Sequence, residues 1–158
     1  MAVKRLDVEH KTEVGGVVLN VGDGDGVREA ARRMGQQRVL VQRMERGLAE
    51  AIVGYRDDPV VGPIVLVGAG GTLAELYKDF RVALAPVTET EAEELIAGVR
   101  GLAVIRGYRN LPRGDVKALA RAVAAFSTLE GVSEAEINPL IVKEQGVVAV
   151  DVRIAWKA

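Results

Sequence analysis

The apolar and polar positions of this chain change period several times. Arg38 to Met44, RVLVQRM, alternates and is rich in β-branched residues, which predicts a strand. Glu50 to Tyr55 and Gly62 to Val67 predict two more, with RDDP as the turn between them and GAGG closing the third. Short links join all three, so they are expected to form an antiparallel meander, because parallel strands need a crossover of about a dozen residues. Val17 to Asn20 predicts a short strand, and a helix follows over about 27–34. A second helix is expected from Thr88 to Val99, since Thr88 precedes Glu91 at capping-box spacing and Leu95, Ile96 and Val99 form a stripe. Asp115 is placed to cap a third, with Val116, Leu119, Val123 and Phe126 on one face. The segment between these two helices reads as irregular. Ala135 to Val142 and Val147 to Ile154 predict a terminal hairpin around KEQG. Strands and helices come in runs, so the class is α+β, largely antiparallel sheet with packed helices.

Composition narrows the chemistry. The 158 residues suit one domain, and 49% hydrophobic with 27% charged residues describes a globular chain. A net charge of -1 gives no broad basic field for nucleic acid or anionic membrane. There is no cysteine and only one histidine, which excludes disulfides, zinc–thiolate sites and histidine metal clusters. A bound metal would be a hard cation on oxygen ligands. The N-terminus lacks an apolar signal region and no run of about 20 apolar residues occurs, so a cytoplasmic location is expected.

Several stretches could carry chemistry. GDGDG at Gly22 to Gly26 lacks the spaced donors of a calcium loop and reads as a turn with a helix cap. GAGG, Gly68 to Gly71, is a tight turn whose N–H groups could approach a phosphate. VQRM, Val41 to Met44, is either a strand end or a hinge whose backbone pairs with a planar ring. In the terminal hairpin, a four-residue loop over 143–146 pairs Val142 with Val147 and brings Asn138 opposite Asp151. Glu136 lies two residues away on the same face, and Arg153 shares the face of Asp151, where it could meet a phosphate. These oxygens suit magnesium, but a solvated hairpin face has the same spacing. A slip of one residue would turn Asp151 to the other side. His10, in HKTEVGGV, is either a surface residue or an imidazole placed for chemistry on an open loop.

Taken together, HKTEVGGVVLN, VLVQRM, GYRDDPVVGPIVLVGAGGTLAELYKDF, LAPVT, IRGYRNLPRGD and AEINPLIV with GVVAVDVRI resemble the ATP-grasp part of NDP-forming acyl-CoA synthetases. These are ADP-forming acetate–CoA ligases, distantly similar to the succinyl-CoA synthetase β-subunit. The resemblance implies a single partial ATP-grasp domain over 1–158, with ATP or ADP and magnesium as cofactors. It implies the reaction acyl-CoA + ADP + phosphate ⇌ acid + CoA + ATP, through an acyl phosphate and a phosphohistidine. By the same resemblance, His10 relays the phosphoryl group, with Arg153 beside the phosphates. Gln42, Arg43 and Met44 form the adenine hinge and Glu50 follows it. Glu75 follows the glycine turn, and Lys4 stands nearest the family lysine that grips the nucleotide phosphates. Asn138 and Asp151 hold magnesium, with Glu136 beside them. The expected partners are CoA-binding and acid-handling domains or a subunit of the same enzyme, with a homo-oligomer also possible. A second expectation, from another class, is a non-catalytic or regulatory module, as in ATP-grasp parts fused to protein acetyltransferases.

Overall fold

The computed structural model describes residues 1–7, 14–71 and 78–157. Its contacts divide the chain into two compact units, 1–45 and 46–158.

The first unit is a three-stranded antiparallel sheet with one helix. Strand β1 (Ala2–Lys4) lies between β2 (Val17–Val18) and β3 (Leu40–Gln42). Helix α1 (Gly24–Arg33) starts inside GDGDG, three residues earlier than its apolar pattern suggests. The reason is its cap: the Asp23 carboxylate accepts from Gly26 N at 2.8 Å, so the glycines already belong to the first turn. Val3, Val21 and Ala30 form the core of this unit, with Val18, Val27 and Met34 packed around them.

The second unit is a six-stranded antiparallel sheet with helices packed on it. It contains β4 (Ala49–Asp58), β5 (Gly62–Ala69), β6 (Phe80–Leu84), β7 (Val132–Val142), β8 (Val147–Ala149) and β9 (Val152–Trp156). The spatial order is β6-β5-β4-β7-β8, and β9 pairs with β7 as well. The β4–β5 hairpin forms as expected, but the predicted meander does not, because β3 pairs with β1 in the first unit. A strand has two edges, and those of β4 are taken by β5 and β7, which leaves none for β3.

Helix α2 (Glu89–Gly98) carries the full capping box: Glu91 N donates to Thr88 Oγ1 at 3.2 Å, and Thr88 N donates to Glu91 Oε2 at 2.7 Å. Helix α3 (Val116–Phe126) is capped by Asp115. Ile96 and Val99 from the α2 segment and Leu119 and Val123 from α3 meet Val53, Val65, Val67 and Val142 of the sheet in one fully buried core. The segment expected to be irregular holds two short 3-10 turns, Gly101–Ile105 and Tyr108–Asn110. Leu102 and Ile105 of the first are completely buried, so this stretch contributes to the core and is not mere linker.

Asp115 also ties α3 to the sheet. One carboxylate oxygen accepts from Ala118 N and the other from Gly146 N, each at 2.9 Å. These N–H groups, Gly146 first, hold its pKa below the ordinary 3.8. A depressed carboxylate gives stability that is complete above its ordinary value and is lost as the pH falls through the folded value. The amide NMR signals of Ala118 and Gly146 should therefore titrate together below pH 3.8, and both should lose that titration in Asp115→Asn. Separate titration of the two amides would contradict the tie.

Candidate functional site

The first unit contains five of the eleven predicted site residues. Register pairs Ala2 with Gln42 and Lys4 with Leu40. Since i and i+2 share a face, Lys4 and Gln42 lie on one side of this small sheet, and Val3 of the core on the other. Lys4 is buried, an unusual state for lysine. β3 ends at Gln42, so Arg43 and Met44 lie just past the strand. The Arg43 side chain is exposed and stands 3.8 Å from the Glu45 carboxylate.

The segment containing His10 connects β1 to β2. Its two ends are held by pairing of Lys4 with Val17 and by Arg5 N donating to Gly16 O at 2.9 Å. Arg5 clamps Asp7 through two hydrogen bonds, and Gln36 adds a third at 3.2 Å. The guanidinium holds the Asp7 carboxyl at about 2. Sequence reasoning did not single out this clamp, although an acid two residues from an arginine was visible. His10 and Glu75 lie outside the described residues.

In the second unit, β7 and its partners bring four predicted residues together. Val142 pairs with Val147, Ile137 with Val152 and Glu136 with Arg153. Between these pairs, Asn138 N donates to Asp151 O at 3.1 Å and Val150 N donates to Pro139 O at 3.2 Å. Asn138 therefore stands opposite Asp151, the register counted from the four-residue loop. Asn138 is exposed and Asp151 half-buried, so neither points into the apolar core. On its other edge β7 is bulged: Ala51 faces Leu140 and Val53 faces Ile137, so Asn138 and Pro139 together oppose Ile52. The bulge explains how a proline sits in an interior strand, because the ladder is already interrupted there.

Arg153 is placed differently from the simple expectation. Opposite Glu136, it ion-pairs with Glu134 through Nη2 and Oε1 at 2.5 Å. A phosphate reaching it would have to compete with that carboxylate.

Glu50 is exposed on β4, and the glycine turn rests against it. Gly70 N donates to Glu50 O at 2.7 Å. A Cβ on Gly70 would stand 3.0 Å from the Glu50 carbonyl carbon, and one on Gly71, where φ is +90°, would stand 3.1 Å from Glu50 Oε2. The turn therefore needs glycine to pass this close to β4.

Among the described residues, no three histidine, cysteine, aspartate or glutamate side chains gather as a protein-only metal cage. Magnesium does not require one. It commonly takes one or two carboxylates and completes its octahedron with water and substrate phosphate. Asp151, Glu136 and the Asn138 amide fit that donor set. No helix among the described residues is long and apolar enough to cross a membrane.

Residues 1–155 match the family model described as ATP-grasp domain, and the mostly antiparallel sheet with packed helices is consistent with that fold. The chain belongs to the ATP-grasp family, and within it to the portion found in ADP-forming acetate–CoA ligases. It is 38% identical over 162 residues to acetate–CoA ligase [ADP-forming] I of Archaeoglobus fulgidus, covering 94% of this chain and 24% of that protein. It is 30% identical to the acetate–CoA ligase [ADP-forming] I subunit beta of Pyrococcus furiosus, covering 98% of this chain and 73% of the subunit. Among solved structures it superimposes with a TM-score of 0.84 and 31% identity on the dinucleotide-forming acetyl-coenzyme A synthetase 1 of Ca. Korarchaeum cryptofilum, covering 99% of this chain and 76% of the other. That protein was solved with coenzyme A and Mg-AMPPCP, its phosphohistidine segment pointing towards the nucleotide-binding site. The chain thus spans about a quarter of the length of the longer curated relatives.

Proposed function

We propose that residues 1–158 are part of an ATP-grasp domain that binds a magnesium–nucleotide complex in an ADP-forming acid–CoA ligase, working with CoA-binding and acid-handling domains of the same enzyme. The observation that carries this reading is the pairing of Asn138 with Asp151, with Glu136 two positions along the same strand. In this reading the backbone of Gln42 to Met44 reads the adenine ring and Lys4 contributes charge toward the phosphates. Glu50 stands on the nucleotide side of the glycine turn, and Glu75 follows that turn. Asp151, Glu136 and Asn138 hold magnesium, which when bound neutralises phosphate charge. Arg153, released from Glu134, meets the transferring phosphate, and His10 accepts or donates the phosphoryl group. Transfer of this kind depends mainly on positioning and charge compensation.

Calorimetry with ADP and ATP tests the reading. Binding should require magnesium. Asp151→Asn, which keeps size and removes charge, should weaken magnesium-dependent binding by about tenfold or more, on the order of 1.4 kcal/mol. Tight binding that ignores both magnesium and Asp151 would overturn it.

A further inference from the structure

A second cluster in the larger unit has no part in the nucleotide reading. A cavity of about 620 Å³ opens beside the first turn of α3, its lining including Arg106, Arg113, Gly114, Asp115, Lys117 and Glu144. Its volume lies within the range of small-molecule sites. Arg106 and Arg113 face each other directly across an isolated antiparallel bridge. Like charges in that position repel. Among the described residues none of Arg106, Arg113 and Lys117 forms an ion pair. Asp115, whose two oxygens accept from backbone N–H groups, and Glu144 line the same cavity, so its three cations outnumber its two carboxylates.

The frame around the two arginines is fixed. Gly114 N donates to Ile105 O at 2.9 Å, and a Cβ on Gly114 would stand 2.9 Å from Ile105 Cβ and 3.0 Å from Val142 Cγ1. The cavity floor is therefore pressed onto the core. Asp115 N donates to Lys143 O at 2.8 Å, which fastens the far wall to the β7–β8 turn. The loop between the arginines is held in costly backbone: Gly107, Arg109 and Asn110 have φ of +85°, +49° and +63°. Two of these are not glycine, and such conformations persist only where the surroundings enforce them. The Arg113 stem crosses Gly107, where a Cβ would stand 3.2 Å from Nε. Arg109 stacks on Tyr108, its Cζ 5.3 Å from the ring centroid, and is thereby separated from the pair.

We propose that this cavity binds a phosphate dianion, held by Arg106 and Arg113 with Lys117 as the third cation. Two guanidinium forks on a rigid frame suit the planar, bidentate recognition of phosphate oxygens, and a dianion removes the repulsion the fold otherwise sustains. The ligand is either free inorganic phosphate or the phosphate end of a larger metabolite.

The test is a titration of this chain with inorganic phosphate at constant ionic strength, read by calorimetry and by amide NMR. Saturable binding should appear, with the largest shifts at Gly107 and Gly114. Arg106→Gln with Arg113→Gln should weaken it by about tenfold or more. Arg113→Lys, which keeps the charge and the fold, should give a partial loss. Magnesium–ADP binding should be unchanged in both variants, which separates this result from the fate of the nucleotide reading. Glycerol 3-phosphate distinguishes the sources: equal or tighter binding assigns the end of a phosphorylated metabolite, and binding of inorganic phosphate alone assigns the free ion. No saturable binding, shifts centred on Asn138 and Asp151, or equal affinity in the double variant would each overturn the proposal.

Discussion

Leu119→Ala should lower the stability of the larger unit by about 2–5 kcal/mol. Leu119 is fully buried in the middle of α3, and its neighbours in the core come from α2, from the 101–105 turn and from the sheet. Deleting its branched end removes transfer free energy and leaves a cavity. The surrounding frame is poorly able to close that space, because α3 is fixed at its start through Asp115 and at its end through Ser127. There Val87 N donates to Ser127 Oγ at 3.0 Å, which ties the helix end to the approach of α2. Urea unfolding should show the loss as a lower midpoint with an unchanged slope. Arg121→Gln, two residues further on and on the exposed side of the helix, should leave the midpoint almost where it was. A loss of less than about 1 kcal/mol in Leu119→Ala would mean that α3 is not part of the cooperative core.

Features set by local rules were legible in the sequence. Thr88 and Glu91 announced the start of α2, and the four-residue loop fixed the hairpin register through Asn138 and Asp151. GDGDG proved a helix cap, because Asp23 could satisfy Gly26 N without any ligand. What local rules cannot contain is which edge a strand will find. β3 has the alternation of a meander strand, yet its partner is β1, 36 to 40 positions earlier. β1 itself has three residues, too few for any periodic signal. β6 was missed for a different reason: Phe80, Val82 and Leu84 do alternate, but they follow a glycine turn that reads as the end of the sheet. The burial of Leu102 and Ile105 was readable as an i, i+3 apolar pair, though glycine and arginine around it suggested a loop. The adenine hinge is legible only by resemblance, since recognition through backbone groups leaves almost no trace in side-chain identity. The opposed Arg106 and Arg113 required the fold, because only a chain reversal places them side by side.

His10→Ala should abolish an acid-labile phosphate on this chain. The prediction rests on the proposed ligase reading. His10 is the only histidine, so no other imidazole here can substitute for it. Imidazole is neutral for much of its population near working pH and can attack phosphorus without a separate base. The segment that carries it joins β1 to β2, whose facing ends are tied by the Lys4–Val17 pair and by Arg5 N donating to Gly16 O. Labelling should be carried out with the complete enzyme, the CoA-binding and acid-handling domains included, supplied with γ-labelled ATP and magnesium. Wild-type enzyme should carry a label stable in alkali and lost in acid. His10→Ala should carry none on this chain while still binding magnesium–ADP as tightly, because the substitution leaves the hairpin oxygens untouched. Asp151→Asn should instead lose the label together with the binding. That split distinguishes a relay from a metal ligand. Normal turnover by the complete enzyme with His10→Ala would leave the histidine as an ordinary surface residue.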